Sequence, residues 1–404
     1  MELRNLSPGR IAGWMMLAFV IAVGLHSFLP YQRGTDVVWI VLLSLTIVPL
    51  IWIRSRIVIA IFLVFFSFIF GLWRFESVPR PTIRRIEDRQ FIVRKQDETS
   101  MFARMRHAMT ARVHSVMPPD EATLVTGILY GEQDLSKLQR ERFRSAGLMH
   151  IVAVSGSNVT VVVQFISLCA LGLRFRRRNA FWVTSIALIV FVAFVGFSAS
   201  VARAAFMGWF ILLAREVGRL TTPSRLLLSA ATVLLLLNPW QLRFDIGFAL
   251  SFLAMWGLLE WAPIFERWLA RLPNRFELRR TLAMTLAATL TTAPYLAWMF
   301  GRISLAGPMT NVLALPLIPF VMGWGMVAAV WGDLPGYVIV ATPVTGLARL
   351  IDLIAGLAEK LPWLDRKADD VSLSIVFAIY LLLAYFVRRL RRKNDLSTEK
   401  RVVL

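Results

Sequence analysis

The sequence predicts an all-α, polytopic membrane protein with about twelve transmembrane helices, some of them discontinuous, and with both termini in the cytoplasm. Apolar residues make up 57% of the chain and charged residues only 17%, whereas soluble domains hold about 45–50% apolar residues. The apolar residues gather in runs that approach the roughly 20 residues a membrane-spanning helix needs. Lys and Arg gather in every second loop between these runs, as is typical of cytoplasmic loops.

Twelve apolar runs follow one another, and we interpret each as one helix, with an uncertainty of one or two in the total. Arg4 and Arg10 precede the first run, but no small-residue cleavage site follows it, so we expect a retained helix rather than a signal peptide. The runs at 201–214 and 337–357 are the weakest, because one is short and the other contains Arg349 and Asp352. The runs are 11–29, 37–53, 57–73, 148–171, 181–198, 201–214, 226–240, 246–261, 281–300, 303–330, 337–357 and 371–387.

The charge of the loops sets the expected orientation. With the N-terminus inside, the loops at 54–56, 174–178, 215–225 and 267–280 and the tail after residue 387 fall inside and hold most of the arginines. The opposite short loops hold far fewer. This asymmetry accounts for most of the net charge of +20, so that charge does not by itself indicate nucleic acid. We expect a location in the bacterial inner membrane.

We divide the chain into four parts. Residues 1–73 form an N-terminal three-helix membrane segment, and residues 74–120 form a basic, amphipathic segment outside the cytoplasm. Residues 121–390 form the main membrane domain, and residues 391–404 form a basic cytoplasmic tail that frays from Asn394 on. Phe102, Met105, Met109 and Val113 recur at helical spacing, so we expect residues 100–147 to form interfacial helices on the outer leaflet.

A polar group interrupts the run at 148–171. Irregular backbone at membrane depth is tolerated only inside protein or along a watery cavity, and a half-helix that begins there would direct free N–H groups at an anion. The alternative is an ordinary kink whose hydroxyl groups join helices. The candidate path residues here are His150, Ser155, Gly156, Ser157, Asn158, Thr160 and Gln164.

Three further clusters contain polar residues at or within apolar runs. Arg203, with Ser200, is either a phosphate-binding arginine or one that snorkels from a helix end. Arg243 and Asp245 could pair at a helix mouth, while Gly247, Ser251, Ala254 and Gly257 form a small-residue stripe that favours close helix packing.

The fourth cluster surrounds Asn311. Gly307 and Pro308 precede it, and Pro316 and Pro319 follow it. We expect a second discontinuous helix near 307–311, which is the usual sign of a transport site. A simple proline kink is the alternative.

The sequence offers no catalytic, cofactor or metal site. The four histidines do not form a zinc-ligand spacing, Ser155 does not lie in a nucleophile elbow, and no Walker motif is present. The single cysteine, Cys169, lies in an apolar run, where we expect a small buried side chain. We therefore expect a protein that is not an enzyme and needs no cofactor.

Together, the clusters resemble the ComEC-type competence proteins, which are inner-membrane DNA-uptake channels. The resemblance covers about residues 121–332, and its ordered set of motifs is more specific than any one motif. The motifs are His-x-x-Ala-Val-Ser-Gly at 150–156, Ser-x-x-Arg-Ala at 200–204, Asn-Pro at 238–239 leading into 245–252, and Asn311 with Pro316 and Pro319.

The chain departs from the family pattern in three ways. Asn158 stands where the family motif commonly ends in histidine, so the titrating group of the family pattern is replaced by an amide. Only residues 74–99 are free for the family's OB-like domain, and five strands need about 25–30 residues before any turn. The metallo-β-lactamase-like nuclease domain of many members is also missing. The resemblance thus implies a shortened form, a channel core without its processing enzyme.

The resemblance implies passage of single-stranded DNA across the cytoplasmic membrane during natural transformation. The implied partners are single-stranded DNA, membrane lipids, a separate DNA receptor, a nuclease and a cytoplasmic ATP-driven helicase or translocase, and a homo-oligomer is possible. The alternatives are a transporter or channel for another anionic solute or lipid, and a structural or assembly subunit. The same broken helices suit either transporter.

Overall fold

The computed structural model describes residues 7–28, 36–47, 55–79, 83–86, 89–92, 100–131, 135–152, 154, 156–196, 199–216, 222–272, 277–332, 334–361, 365–367 and 371–402. Helices dominate these residues. In chain order, the elements are α1 (Pro8–Ser27), α2 (Asp36–Ile47), α3 (Arg56–Ser77), β1 (Ile83–Ile86), β2 (Arg89–Ile92), α4 (Met101–Val116), α5 (Pro119–Tyr130), α6 (Lys137–Ser145), α7 (Met149–Val152), α8 (Gly156–Gly172), α9 (Arg177–Val195), α10 (Ala199–Glu216), α11 (Pro223–Leu237), α12 (Gln241–Phe244), α13 (Ile246–Glu260), α14 (Ala262–Trp268), α15 (Leu278–Phe300), β3 (Arg302–Ser304), α16 (Gly307–Ala314), α17 (Ile318–Trp331), α18 (Tyr337–Glu359), β4 (Asp365–Lys367) and α19 (Leu373–Val402).

The helices confirm an α-helical, multi-pass membrane protein. Within the described residues, six helices are long and apolar enough to cross a membrane, and the bent pair α13–α14 raises the number to seven. The six are α1, α3, α9, α16 with α17, α18 and α19. Three predicted spans give shorter apolar helices, in α8, α10 and α11. The total of about twelve spans and the orientation of the termini therefore stay predictions.

Two short antiparallel ribbons are present that the sequence did not predict. One pairs β1 with β2 inside the basic segment, with Ile83 opposite Ile92. The other pairs β3 with β4, with Arg302 opposite Lys367. Strands of three or four residues are too short to show a clear alternation of apolar and polar side chains.

Three expectations about helices are wrong. The break expected at 307–311 is the beginning of α16, because Pro308 lies in the first turn, where its missing N–H group is not needed. The actual irregularity is the 3₁₀ turn Leu315–Leu317, at Pro316. α19 continues through the expected frayed tail as far as Val402. Finally, α5 is not interfacial, because every residue from Ala122 to Tyr130 is buried.

The expectation for Cys169 is also wrong, because this residue is exposed. It lies on the outer side of α8 beside Leu168, which is 68% exposed. Exposed apolar side chains are ordinary on a helix that faces lipid.

The chain divides into two compact units. The first comprises Met1–Gln96, Val162–Val192 and Gly196–Ala249. In it, α1 packs along α3, and Phe19, Ala22 and Val23 of α1 are buried. Gly71 of α3 permits this approach, because a Cβ atom there would lie 2.8 Å from the Phe19 carbonyl oxygen.

The second unit comprises Asp97–Val161, Ala193–Val195 and Leu250–Leu404. The buried helix α5 lies at its centre and packs against α4, α17 and α18. A separate apolar cluster joins α14 and α15 to α19 through Trp261, Ile264, Ala287 and Leu383. The Tyr380 hydroxyl of α19 donates to a main-chain carbonyl of α15, 2.8 Å away.

The small-residue stripe of α13 contacts α15 where the sequence predicts close packing. A Cβ atom on Gly257 would lie 2.5 Å from the Ala287 carbonyl oxygen and would also meet the Thr291 hydroxyl. Both obstacles belong to the neighbouring helix, and one of them is backbone, so the helices could not accommodate the extra carbon without moving apart.

We therefore predict that Gly257→Ala destabilises the second unit by about 1–3 kcal/mol, the usual cost of overpacking. Gly323→Ala in α17 is the matched control, because its Cβ atom would meet nothing within 4 Å and alanine favours the helix. Thermal unfolding of the two purified variants in detergent measures the difference. Equal stability of both variants would contradict the close contact.

Candidate functional site

The predicted break in the run at 148–171 is present, with α7 ending at Val152 and α8 beginning at Gly156. Ser155 lies outside the described residues, and so does the side chain of Ser157. Asn158 lies in the first turn of α8 and is only 1% exposed. Its Nδ2 donates a hydrogen bond to the Ile128 carbonyl oxygen of α5, 2.9 Å away. The first turn of α8 is thus fixed to the central helix of the second unit.

Asn158 therefore has a structural partner that does not depend on titration. An amide donates its hydrogen bond at any pH, whereas the histidine of the family pattern would change charge near neutrality. Gly131, the residue that follows α5, has a left-handed backbone with φ of 80°. It lies next to the same break. A Cβ atom there would lie 3.3 Å from a methyl carbon of Val154.

The segment that leads into α7 contacts the beginning of α16. Gly147 has a φ of 71°, and a Cβ atom there would lie 2.9 Å from the Gly307 Cα and 3.1 Å from the Ser304 Oγ. Glycine is needed at position 147 both for the left-handed backbone and for the close approach of the second chain. Two motifs that are far apart in the sequence therefore touch.

Two hydroxyl groups secure this contact. Ser304 Oγ donates to the Ser145 carbonyl oxygen at 2.6 Å, and Thr310 Oγ1 donates to the Ala146 carbonyl oxygen at 2.7 Å. Thr310 is buried. The carbonyl groups between α6 and α7 thus gain side-chain partners from the fourth sequence cluster, as buried backbone groups require.

The remaining polar residues of the break lie at its surface. His150 is exposed, and its Nδ1 lies 3.0 Å from the Gly147 carbonyl oxygen. Thr160 is exposed and donates to the Gly156 carbonyl oxygen at 3.0 Å. Gln164, one turn further along α8, is exposed as well. These three candidate side chains therefore lie at the surface of the described chain.

Two candidate residues of the second unit have buried, unsatisfied atoms. The Asn311 Oδ1 and the Ser251 Oγ are buried, and neither has a hydrogen-bond partner within the described part of the chain. Each residue is 8% exposed. Unsatisfied buried polar atoms are costly and often mark a functional group.

The first unit contains the other candidates, and it is described by itself. Arg203 lies in the second turn of α10 and is 9% exposed, while Ser200 is half-buried. A buried guanidinium within an apolar helix is costly unless it serves a partner or a ligand. A snorkelling arginine would be exposed, so the burial does not fit that interpretation, and a phosphate-binding role for Arg203 stays a prediction.

Arg243 and Asp245 make separate contacts rather than the expected pair. Arg243 donates to the Ser27 carbonyl oxygen and stacks over the rings of Phe28 and Phe244, at 5.8 and 5.1 Å from their centroids. Asp245 Oδ1 accepts a hydrogen bond from the Phe248 N–H at 3.0 Å, which caps α13. These contacts support packing and capping more than a substrate path.

Sequence reasoning missed a polar cluster in the N-terminal segment. His26 Nε2 lies 3.0 Å from Glu76 Oε1, and both side chains are about nine-tenths buried. Trp39 Nε1 donates to the other Glu76 oxygen. The cluster joins α1, α2 and α3. The sequence contained one signal, a histidine and a glutamate near the ends of two predicted spans. Only the fold shows that these two residues pair.

The charges in α18 are paired, which explains how this apolar helix contains them. Arg349 Nε lies 2.6 Å from Glu121 Oε1 of α5. Arg142 of α6 lies 3.4 Å from Asp352 and 3.0 Å from Glu359. Ionisable residues in spanning helices usually have such partners inside the protein. Among the described residues, no group of three His, Cys, Asp or Glu could hold a metal ion.

The fold and these contacts define an α-helical, multi-pass membrane protein in which a polar motif separates α7 from α8. A family model described as Competence protein matches residues 128–393, which is more than half of the chain. The chain therefore belongs to the competence-protein family, and the resemblance drawn from the motifs is confirmed.

One curated relative supports the same assignment. ComE operon protein 3 of Bacillus subtilis (strain 168) is 26% identical over 227 residues, which cover 56% of this chain and 28% of that protein. The chain thus spans little more than a quarter of the length of that relative. No solved structure matches the chain.

We predict that Gly147→Ala destabilises the protein more than Gly336→Ala does. Both glycines have a positive φ, but only a Cβ atom on Gly147 would meet another chain segment within 4 Å. The left-handed backbone alone costs about 1–2 kcal/mol for a residue with a side chain, and the contact with Gly307 adds an overpacking cost. Thermal unfolding in detergent compares them, and equal losses would argue against the contact between Gly147 and Gly307.

Proposed function

We propose that the protein passes single-stranded DNA across the bacterial cytoplasmic membrane during natural transformation. The observation that carries the proposal is the break between α7 and α8, which lies within the competence-family region. Asn158 of α8 is hydrogen-bonded to α5, and the segment before α7 accepts hydrogen bonds from Ser304 and Thr310. A broken helix with satisfied backbone is what a substrate path at membrane depth requires.

The chemistry of the candidate residues suits a polyanion. The first turn of α8 presents main-chain N–H groups, which attract phosphate. In the first unit, taken by itself, Arg203 has a guanidinium of the kind that can bind a phosphate through two hydrogen bonds. Contacts of this kind recognise the nucleic-acid backbone and not its bases, so transport would not depend on sequence.

The proposal includes partners and an orientation. The chain has no Walker motif, so the force for transport comes from a cytoplasmic ATP-driven helicase or translocase. A separate DNA receptor and a nuclease act before the channel. Both termini lie in the cytoplasm, residues 74–120 lie outside and residues 121–390 form the channel domain. Homo-oligomers would extend this arrangement, and the chain itself performs no catalysis.

We predict that Arg203→Ala lowers the transformation frequency by on the order of a hundredfold or more. The reason is that losing one partner of a buried charge contact costs about 2–5 kcal/mol of binding free energy. Arg203→Lys retains the charge but loses the two-pronged geometry, so we expect partial activity. Transformation frequency is measured in cells that express each variant at the wild-type level in the membrane. A normal transformation frequency in cells with the alanine variant would contradict the proposal.

The alternative substrates are tested in proteoliposomes. The purified protein is assayed for uptake of a labelled single-stranded oligonucleotide and, in parallel, of a small labelled anion. The DNA proposal expects uptake of the oligonucleotide that Arg203→Ala removes. Uptake of the anion alone would instead support a transporter for another solute, and the same comparison with labelled anionic lipid covers the lipid alternative.

A second prediction concerns water along α8. In a Cys169→Ser background, we expect Thr160→Cys and Gln164→Cys to react with a membrane-impermeant thiol reagent, because both positions carry exposed polar side chains on α8. Phe165→Cys and Leu168→Cys are matched controls on the same helix, since both positions are more than 60% exposed but apolar. Equal labelling of both pairs would contradict a water-lined path along one face of α8. The absence of labelling at either pair would favour a structural subunit.

A further inference from the structure

The beginning of α15 contacts α14 in the second unit. Arg279 Nη2 lies 3.9 Å from Glu266 Oε1 of α14, a distance too long for a hydrogen bond. Arg279 Nε is buried and has no hydrogen-bond partner within the described residues. This guanidinium therefore retains a buried donor without an acceptor, and such groups usually have a partner.

The far end of α19 lies at the same place. Its Tyr380 hydroxyl donates to the Thr291 carbonyl oxygen of α15. Further along α19, Val387 belongs to one buried cluster with Ala287 of α15 and Ile264 of α14. The contacts thus move towards the beginning of α15 as α19 proceeds, so the two helices run in opposite directions. At 1.5 Å per residue in both helices, the chain just after Val387 lies beside the first turns of α15.

The cations at this junction outnumber the carboxylates. The described stretches 260–272, 277–281 and 380–390 contain six arginines and three carboxylates. Two of the arginines, Arg279 and Arg280, each lie 3.9 Å from a glutamate. The other four are exposed, and none of them has a carboxylate oxygen within 4 Å in the described part of the chain. These four are Arg267, Arg271, Arg388 and Arg389.

Exposed aromatic and apolar side chains adjoin these arginines. Trp268 lies between the two arginines of α14 and is 62% exposed, while Tyr385 lies one turn before those of α19 and is 57% exposed. Trp and Tyr concentrate at the level of the headgroups of a bilayer. Leu381 and Leu382, one turn further from the arginines, are also more than half exposed. The arginines therefore lie at the edge of an apolar surface.

An anionic phospholipid matches this surface better than a soluble anion does. Its phosphate oxygens are acceptors for the guanidinium groups, and an arginine can bind a phosphate through two hydrogen bonds. Its acyl chains would cover the exposed leucines, which a soluble anion would leave uncovered. Basic surfaces between membrane helices are known to bind anionic headgroups.

We infer that an anionic phospholipid binds at the junction of α14, α15 and α19. Arg267 and Arg271 contact its headgroup from α14, and Arg388 and Arg389 contact it from α19. The lipid joins the bent pair α13–α14 to α19, which is the least buried of the six candidate spans, with only 11% of its apolar window inside the protein. This inference goes beyond the proposed function, because the lipid is a resident ligand whichever substrate is transported.

The test is native mass spectrometry of the full chain, purified in a neutral detergent. The protein is titrated with phosphatidylglycerol and, in parallel, with phosphatidylcholine, and the bound lipid molecules are counted. We expect one phosphatidylglycerol to bind with an affinity about tenfold or more above that of phosphatidylcholine. Arg267→Gln with Arg388→Gln removes one arginine from each side. We expect this variant to bind phosphatidylglycerol about 25-fold more weakly, since one basic side chain contributes about fivefold.

Two further variants separate a site from a general attraction by charge. Arg104→Gln with Lys137→Gln removes the same charge from exposed positions on α4 and α6, and we expect wild-type affinity for phosphatidylglycerol. Arg267→Lys with Arg388→Lys retains the charge but loses the two-pronged geometry. We expect its affinity to lie between those of the wild type and the glutamine variant.

Four results would overturn the inference. Equal affinity for the two lipids, an equal loss in the control variant, or wild-type affinity in the lysine variant would each show that no anionic-lipid site exists. The same titration with inorganic phosphate and with a single-stranded oligonucleotide gives the fourth. If either one displaces phosphatidylglycerol and depends on Arg267 and Arg388, these arginines bind a soluble anion instead.

Discussion

The structure depends on one constraint: every main-chain N–H and carbonyl group placed among apolar side chains needs a hydrogen-bond partner. An unbroken helix meets this need within itself, but the chain between α6 and α8 does not. There, side chains supply partners, with Thr310 binding the Ala146 carbonyl and Ser304 the Ser145 carbonyl. Asn158 in turn binds the Ile128 carbonyl near the end of α5. These bonds require α5 to lie close to the first turn of α8, and α16 to lie close to the segment between α6 and α7.

The same constraint governs the charges. Arg349 and Asp352 interrupt an otherwise apolar helix, and each finds an oppositely charged partner on α5 or α6. Arg142 pairs with two carboxylates that lie two turns apart on α18. Pairs of this kind contribute modest stability on their own. Their larger effect is to fix the position of α6, and hence of the segment that leads into the broken span.

Much of this could be read from the sequence, because apolar length, loop charge and the polar group at 155–158 are local signals. The α-helical membrane fold, the break between α7 and α8 and the close packing at Gly257 were predicted in this way. The burial of α5 was not, because its helical periodicity resembles that of an amphipathic helix until its neighbours are known. The contact between Gly147 and Gly307 joins segments about 160 residues apart, and a single sequence contains no signal for such a pairing. The separate partners of Arg243 and Asp245 depended on the fold in the same way.

The distance between these two segments also bears on how the protein is made. Synthesis proceeds from the N-terminus, so the break between α7 and α8 emerges long before Ser304 and Thr310. Until α16 arrives, the carbonyl groups of Ser145 and Ala146 have no hydroxyl partner, and the Gly147 backbone has nothing to pack against. The nascent chain therefore passes through a stage with unsatisfied polar backbone beside the bilayer, and it needs water, lipid headgroups or the insertion machinery to shelter that segment. Biogenesis, and not only transport, thus places a demand on the residues at 301–311.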